Sequence, residues 1–198
     1  MKKKESTLFN MVVVLLIITL VAGLSLGYVN DLTLEPKARA RLARVEKALS
    51  AVLPQLNNEP VAEVIRLKQK ELRDSTSIYP AYMDSTFLGA AVTGYSEKGY
   101  SGIVKLMVGF NPDGHIRDII VLEQKETPGL GTKMKGEKFL RQFRNKNPET
   151  FDLKVKKDGG EVDALAGATI SSRAFSEATQ QAFDTFLTNK NSISNSKR

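Results

Sequence analysis

The segment Asp163–Ser172, "DALAGATISS", places hydroxyl side chains among small residues just before an amphipathic run. Ser171 or Ser172 is predicted to be the N-cap of a helix, because a serine hydroxyl there accepts a hydrogen bond from a free backbone N–H group. The remaining N–H groups and the positive helix end favour an anion such as a phosphate. The small residues Ala166–Ala168 would let a large group lie against the backbone. The alternative is a well-capped helix that follows a small-residue turn and binds nothing.

A second pattern, "ETPGLGT", covers Glu126–Thr132 directly after a predicted strand. Pro128 fixes φ, whereas Gly129 and Gly131 permit a tight turn and a close approach of the backbone to a ligand. The pattern lacks the Lys-Ser/Thr pair of a P-loop and does not fit the GxGxxG spacing of a dinucleotide site. On its own it equally describes a loop without a function.

Composition excludes several kinds of chemistry. The 198 residues include no cysteine, which excludes disulfides, thiolate zinc sites and ordinary iron–sulfur clusters. The single histidine, His115, cannot form a histidine-based metal site by itself. Any redox role must therefore come from an organic cofactor. The net charge of +7 comes from scattered basic residues interrupted by glutamates, which favours a solvated basic surface over a nucleic-acid groove.

The N-terminus is predicted to anchor the chain in a membrane. Lys2–Lys4 precede Ser6–Asn30, a run of 25 residues without a charge. As a helix this run would be roughly 37 Å long, whereas the hydrocarbon core of a bilayer is about 30 Å thick. A cleaved signal peptide is the alternative, but its apolar region is usually only about 7–15 residues long. We therefore predict a cytoplasmic segment over 1–7 and a transmembrane helix over 8–29.

The positive-inside bias of those lysines gives the expected orientation. It places them in the cytoplasm and the main domain on the periplasmic or extracellular side of the inner (cell) membrane. Residues 30–85 are predicted to form a helical stalk and a connecting segment. That segment would contain one helix from about Pro36 to Pro54 and a second from Pro60 to about Arg73.

From residue 86 the pattern changes to β-rich runs punctuated by glycine. The runs "GIVKLMVGF" and "HIRDIIVLEQ" flank the turn sequence "NPDG" and predict a hairpin. A helix over "GEKFLRQFRNK", a short strand near "FDLKV" and a final helix from Ser172 to Leu187 follow. Strands and helices mix without a regular βαβ repeat, so the predicted fold class is α+β. The domain is assigned to 86–188 and a flexible tail to 189–198.

The two motifs together point to a family. "DALAGATISS" resembles the flavinylation motif of the FMN-binding domain family, Asp-x-x-Ser/Thr-Gly-Ala-Thr-x-Ser/Thr, except that Ala166 stands where a hydroxyl residue is usual. "ETPGLGT" resembles the other signature of that family, at the expected place after the hairpin. With its N-terminal anchor and its length, the chain resembles the G subunits of Rnf electron-transport complexes.

That resemblance implies a covalent cofactor. In the family, the motif threonine carries FMN through a phosphoester, and this position is Thr169. Glu126 and Thr127 are the implied polar contacts to the flavin. The remaining implied cofactor-binding residues lie in the two motifs and are Gly129, Leu130, Gly131, Thr132, Ala166, Gly167, Ala168, Ser171 and Ser172. The resemblance implies no catalytic side chain and no metal ligand.

The implied function is that of a flavoprotein component of a membrane-bound ion-translocating oxidoreductase, a translocase. Such a complex moves electrons between ferredoxin and NAD and couples this to Na⁺ or H⁺ translocation, with the FMN acting as a relay. The implied partners are the other subunits of the complex, a flavin transferase for maturation and the membrane, with no nucleic acid. Two alternatives stay open: the generally longer C subunit of the Na⁺-translocating NADH:quinone reductase, and a membrane-tethered binding module without a cofactor.

Overall fold

The computed structural model describes residues 8–67, 76–84 and 86–194. These residues form two compact units, one that ends at Ala43 and one that begins at Arg44. Short 3₁₀ helices cover Gly131–Lys135 and Lys156–Asp158. The longer elements, in chain order, are α1 (Leu8–Val52), β1 (Ile65–Leu67), β2 (Thr76–Met83), β3 (Thr86–Ser96), β4 (Val104–Phe110), β5 (Ile116–Glu123), α2 (Glu137–Leu140) and α3 (Thr169–Ser194).

Helix α1 is long and apolar enough to cross a membrane, by length and composition. Its apolar side chains are exposed from Leu8 to Leu34. The predicted separate helix beginning near Pro36 is wrong, since α1 is continuous and Pro36 lies inside it. Proline removes one main-chain hydrogen bond in a helix interior, and here this does not end the helix. The end of α1 at Val52 agrees with the prediction, with Pro54 two residues beyond.

The second unit is built on a five-stranded antiparallel sheet in the order β1-β2-β3-β4-β5. In its centre Val92 pairs with Val108, which in turn pairs with Ile119 on the next strand. The predicted hairpin is confirmed as β4 and β5, and the Gly114 N–H group donates to the Asn111 carbonyl in its turn, at 3.0 Å. The α+β class is therefore confirmed.

The two faces of the sheet are both covered by helices. Because successive side chains of a strand point to opposite faces, Leu106 and Val108 lie in the core beneath α3, whereas Met107 lies in a second core with the end of α1. That second core contains Leu49 and Val52 of α1. Each face buries its own apolar cluster, so the sheet is a rigid base for the loops at its edges.

Helix α3 approaches the sheet closely over Gly94 of β3. A Cβ atom at this position would lie 2.0 Å from the Ala178 carbonyl oxygen of α3. Phe175 of α3 also meets the rings of Phe139 and Phe143, with centroid separations of 5.1 and 4.9 Å. These contacts fix the position of α3, whose first turn belongs to the candidate site.

The predicted helix from Pro60 to Arg73 is wrong in its described part, because Ile65–Leu67 form strand β1. Residues 68–73 of that prediction lie outside the described residues. Strand β2 also falls in the segment predicted as a connection. Pro80 can occupy β2 because β1 pairs only with Thr76–Ile78 and does not extend to Pro80, so the proline pairs on one side alone, with Ala90 of β3. The assigned domain boundaries themselves stay predictions.

Three further elements differ from the sequence-based expectations. Helix α2 covers only Glu137–Leu140 of the longer predicted helix. The strand expected near "FDLKV" is reduced to an isolated parallel bridge between Val155 and Val162. Helix α3 continues to Ser194, so the start of the predicted flexible tail is helical; residues 195–198 lie outside the described residues. The C-terminal turn is held because Ile193 is buried and its carbonyl accepts a hydrogen bond from the Tyr82 hydroxyl.

Candidate functional site

A cleft of about 540 Å³ lies where three segments of the second unit meet. The segments are the loop after β3, the loop Glu126–Thr132 after β5, and the turn that leads into α3. Both sequence motifs therefore contribute to one cleft. Its lining residues are Tyr100, Glu126, Thr127, Leu130, Gly131, Gly167, Ala168, Thr169, Ile170 and Ser171.

Helix α3 begins at Thr169, three residues before the predicted start at Ser172. The first helical hydrogen bond runs from the Ser172 N–H group to the Ala168 carbonyl, at 3.0 Å, which makes Ala168 the N-cap. The predicted N-cap role of Ser171 or Ser172 is therefore wrong. Within the described residues, the N–H groups of 169–171 have no protein acceptor. They are the donors that an anion at this helix end would use.

The hydroxyl groups of the two serines are occupied elsewhere. Ser172 Oγ donates to the Ala168 carbonyl at 3.0 Å and accepts from the Leu165 N–H group at 2.9 Å. This closes the turn that precedes the helix. Ser171 Oγ donates to Glu126 Oε2 at 2.6 Å. Both side chains are buried, because they connect the helix start to its surroundings.

The Glu126 carboxylate joins the three segments around the cleft. Its side chain is buried, with only 4% of the residue exposed. Oε2 accepts from Ser171 of α3, and Oε1 accepts from the Ser101 N–H group at 3.2 Å. A carboxylate offers about four acceptor positions, so Glu126 can accept further hydrogen bonds from a ligand in the cleft. The structure thus gives Glu126 a structural role in addition to its predicted contact with a flavin.

Only glycine fits at position 131, because the hydrogen-bonded pair of Glu126 and Ser171 leaves no space there for a side chain. A Cβ atom on it would lie 2.6 Å from both Glu126 Cβ and Ser171 Oγ. Gly167, in the turn before α3, has a φ of +73°, a conformation that residues with side chains rarely adopt. These two glycines bring the backbone of both motifs close to the cleft.

Thr169 is half-buried at the start of α3, and Lys157 approaches it. Lys157 Nζ donates to Thr169 Oγ1 at 3.4 Å. The neighbouring Asp158 accepts two hydrogen bonds from the Arg173 guanidinium, both at 2.7 Å, and these hold the pKa of Asp158 below its usual range. Lys157 was not predicted. Its only sequence signal is the basic run before Gly159, 12 residues from the threonine.

Three large apolar side chains that line the cleft are exposed to solvent. Tyr100, Leu130 and Ile170 are 69%, 43% and 45% exposed. Of these, only Leu130 was predicted as a site residue. Tyr100 lies in "GYSG", where an aromatic residue among glycines is too common a pattern to indicate a site. Exposed apolar residues that line one cleft are typical of a ligand-binding groove or an interaction surface.

Four predicted site residues do not line this cleft. Thr132 Oγ1 accepts from the Gly129 N–H group at 3.0 Å, so these two residues shape the loop. Ala166 lines a neighbouring cleft of about 640 Å³, and Ser172 closes the turn before α3. The other eight predicted residues all line this cleft. No cluster of three or more His, Cys, Asp or Glu side chains suited to a metal occurs among the residues the structure describes.

Comparison with known proteins identifies a domain and several relatives. The family model for the FMN-binding domain matches residues 99–184. The crystal structure of Shewanella oneidensis NqrC superposes with a TM-score of 0.46 at 23% identity, and it covers 71% of this chain and 69% of that chain.

Two curated relatives that the chain matches are named as the G subunit of an ion-translocating oxidoreductase complex. The Shewanella oneidensis protein is 32% identical over 181 residues, which are 84% of this chain and 85% of the relative. The Aliivibrio fischeri protein is 33% identical over 161 residues, which are 76% of this chain and 77% of the relative. The chain therefore belongs to the family of G subunits of ion-translocating oxidoreductase complexes, and it contains an FMN-binding domain.

Proposed function

We propose that the chain carries FMN covalently, through a phosphoester on Thr169, and acts as the electron-relay subunit of a membrane-bound ion-translocating oxidoreductase. One observation carries this proposal. The Thr169 hydroxyl lies at the open N-terminus of α3, on the wall of the cleft that the loop Glu126–Thr132 also lines. The motif that resembles an attachment site and the loop that resembles a flavin-binding signature meet in one place.

The residues at the α3 end of the cleft suit a phosphate. The N–H groups of 169–171 have no protein acceptor in the described part of the chain, and the helix dipole adds positive potential there. The Lys157 ammonium group lies beside the threonine hydroxyl. Gly167 and Ala168, the two residues before Thr169, add no bulky side chain of their own beside that hydroxyl.

The residues at the mouth of the cleft suit a flavin ring. Tyr100, Leu130 and Ile170 offer apolar surface on which a planar ring system can lie. Glu126 and Thr127 supply acceptor and donor groups at the cleft wall. When bound, FMN would supply the reversible acceptance and donation of electrons, for which the 20 ordinary side chains are poorly suited. The protein's part is to hold the ring, limit its contact with water and set the charge around it.

The place of the chain in a larger complex is proposed from its family and from α1. We assign it to an Rnf-type complex that couples electron transfer between ferredoxin and NAD to Na⁺ or H⁺ translocation, together with partner subunits. Helix α1 would anchor it in the inner (cell) membrane, and Lys2–Lys4 would keep the N-terminus in the cytoplasm. The domain would then present its flavin to partner subunits on the outer side.

Co-expression with a flavin transferase tests the proposed function. The full-length chain, purified in detergent, is expected to be yellow and to give a fluorescent band after denaturing electrophoresis, because only a covalent flavin survives unfolding. A chain that stays colourless, while a known flavinylated protein is labelled by the same transferase, would favour the membrane-tethered binding module. A yellow chain that loses its flavin on denaturation would keep FMN binding and overturn the covalent linkage.

A further inference from the structure

Lys157 occupies an unusual position among the basic residues near the site. It is the central residue of the 3₁₀ helix Lys156–Asp158, and its Nζ atom lies 3.4 Å from Thr169 Oγ1. No other charged side chain of the described residues makes a hydrogen bond to the Thr169 hydroxyl. The proposed attachment atom and a cation are therefore neighbours in the fold.

The segment that carries Lys157 is fixed on both sides of it. On one side, the Asp158 carboxylate is held by two hydrogen bonds from Arg173, in the second turn of α3. On the other side, Lys156 Nζ lies 2.8 Å from Asp163 Oδ1, in the turn before α3. The backbone adds a hydrogen bond from the Lys156 N–H group to the Val162 carbonyl at 2.8 Å. Exposed ion pairs contribute little individually. The bidentate contact from Arg173 and the backbone hydrogen bond of Lys156 together hold the 3₁₀ helix that carries Lys157 in place.

The charges of the neighbouring cations are already compensated. Arg173 is paired with Asp158, Lys156 with Asp163, and Lys154 with Asp152 at 3.9 Å. Lys157, in contrast, forms no ion pair within 4.0 Å among the residues that the structure describes, although its charge contributes to the lowered pKa of the neighbouring Asp158. An incoming anion can therefore pair with Lys157 without displacing a carboxylate of the protein.

We propose that Lys157 is a positioning residue for flavin attachment: it draws the phosphate of the flavin donor to Thr169 Oγ1 and afterwards pairs with the phosphodiester formed there. This inference rests on the proposed function. With a flavin dinucleotide as the donor, the bond from Thr169 Oγ1 to phosphorus forms and the pyrophosphate bond breaks. AMP leaves, the hydroxyl proton passes to a base of the transferase or to water, and no group is oxidised or reduced. The retained phosphodiester keeps one negative charge, which the Lys157 ammonium compensates.

The test is a time course of flavinylation on the purified full-length apoprotein, with the transferase and the flavin dinucleotide added. The fraction labelled is read by intact mass and by fluorescence in a denaturing gel. Lys157→Gln should slow labelling about fivefold, the size expected for one partly exposed charge contact. Lys157→Arg, which keeps the charge, should stay within about twofold of the wild type. Lys154→Gln removes the same charge from the same segment and should label at the wild-type rate.

A second measurement separates a charge effect from a change of shape. Raising the salt concentration screens exposed charges, so it should slow the wild type more than it slows Lys157→Gln. Equal rates and equal salt dependence for the wild type and Lys157→Gln would overturn the inference. So would an equal loss of rate in Lys154→Gln, since that would indicate a general effect of net charge. Failure of the wild type itself to be labelled would instead overturn the proposed function, so the two failures are distinguishable.

Discussion

At the scale of single residues, the Glu126 carboxylate links separate segments of the cleft by hydrogen bonds. It accepts hydrogen bonds from Ser101 and Ser171, which belong to different segments, and it is almost fully buried. Removing it would leave both donors without their partner, and a buried polar group without a partner costs about 1–3 kcal/mol. The integrity of the cleft therefore depends on this side chain.

We predict that Glu126→Ala lowers the midpoint of thermal unfolding by about 2–12 °C, from that free-energy cost and the usual 2–4 °C per kcal/mol for a chain of this size. Glu126→Gln keeps an acceptor oxygen and should lose less. Glu123→Ala, at the exposed end of β5, is the control and should change the midpoint little. An unfolding midpoint for Glu126→Ala equal to that of the control would show that the carboxylate does not join the segments.

Gly131 gives a second prediction at this scale. A valine side chain would have to occupy space within 2.6 Å of Glu126 Cβ and Ser171 Oγ, so it must displace them. Gly131→Val should keep the covalent label, because Thr169 lies in another segment, but it should shift the flavin absorption spectrum and midpoint potential. Overpacking of this kind typically costs about 1–3 kcal/mol of stability.

The control for that variant is Gly129→Ala in the same loop. Gly129 has a φ of +76° and nothing within 4 Å of its Cβ position, so alanine there strains the backbone without contacting Glu126. It should destabilise the domain slightly and leave the flavin spectrum as it is. A labelled Gly131→Val protein with the wild-type spectrum and potential would remove this loop from the flavin site.

Sequence reasoning reached some residues of the candidate site and missed others for a physical reason. Glu126 and Thr169 lie in local motifs, so the sequence alone singles them out as candidates, and the structure places both on one cleft. Lys157 and Tyr100 reach the site only through the fold, because they are brought there by the 3₁₀ helix and by the loop after β3. The N-cap prediction failed because the Ser171 hydroxyl serves Glu126 instead of the helix end.

At the scale of elements, the placement of α3 over β3 decides where the site lies. At Gly94 the two elements come so close that a Cβ atom would lie 2.0 Å from the Ala178 carbonyl oxygen, which leaves no room for a side chain. Gly94→Ala must therefore push α3 away from the sheet or bend β3. Either movement shifts the first turn of α3, which carries Thr169.

We predict that Gly94→Ala destabilises the domain by about 1–3 kcal/mol, as expected for overpacking in a well-packed core. It should also slow flavinylation, because the displaced helix presents Thr169 less well. Thermal unfolding and the labelling time course measure the two effects, with the exposed Arg117→Ala on β5 as the control. Wild-type stability in Gly94→Ala would contradict the close helix–sheet contact.

The elements of the second unit show which parts of the fold local sequence signals can predict. The hairpin of β4 and β5 was predicted correctly because "NPDG" encodes its turn locally. Strands β1 and β2 were missed because their pairing is set by partners farther along the chain. In the sequence Pro80 argues against a strand, and it is tolerated in β2 only because β1 is too short to reach it. Helix α3 runs past its predicted end because the contact between Tyr82 and Ile193 stabilises its last turns, and no local pattern reports that contact.

At the scale of the whole molecule, the orientation in the membrane decides which partners the flavin can reach. Lys2–Lys4 and the apolar stretch of α1 predict that the domain lies outside the cytoplasm. Protease added to intact spheroplasts should therefore digest the domain, while a cytoplasmic marker protein stays whole. Protection of the domain until the cells are lysed would reverse the orientation and the proposed relay position.

The proposed covalent attachment of FMN to Thr169 is tested by the flavinylation of two threonine variants beside the wild type. The full-length wild type, Thr169→Ala and Thr127→Ala are each co-expressed with the flavin transferase, and their intact masses and denaturing-gel fluorescence are recorded. Thr127 is the matched control, because it is the other threonine that lines this cleft. The wild type and Thr127→Ala should carry the mass of one FMN phosphoester and fluoresce, whereas Thr169→Ala should show neither. An FMN adduct on folded Thr169→Ala, or its loss from folded Thr127→Ala alone, would contradict the assignment.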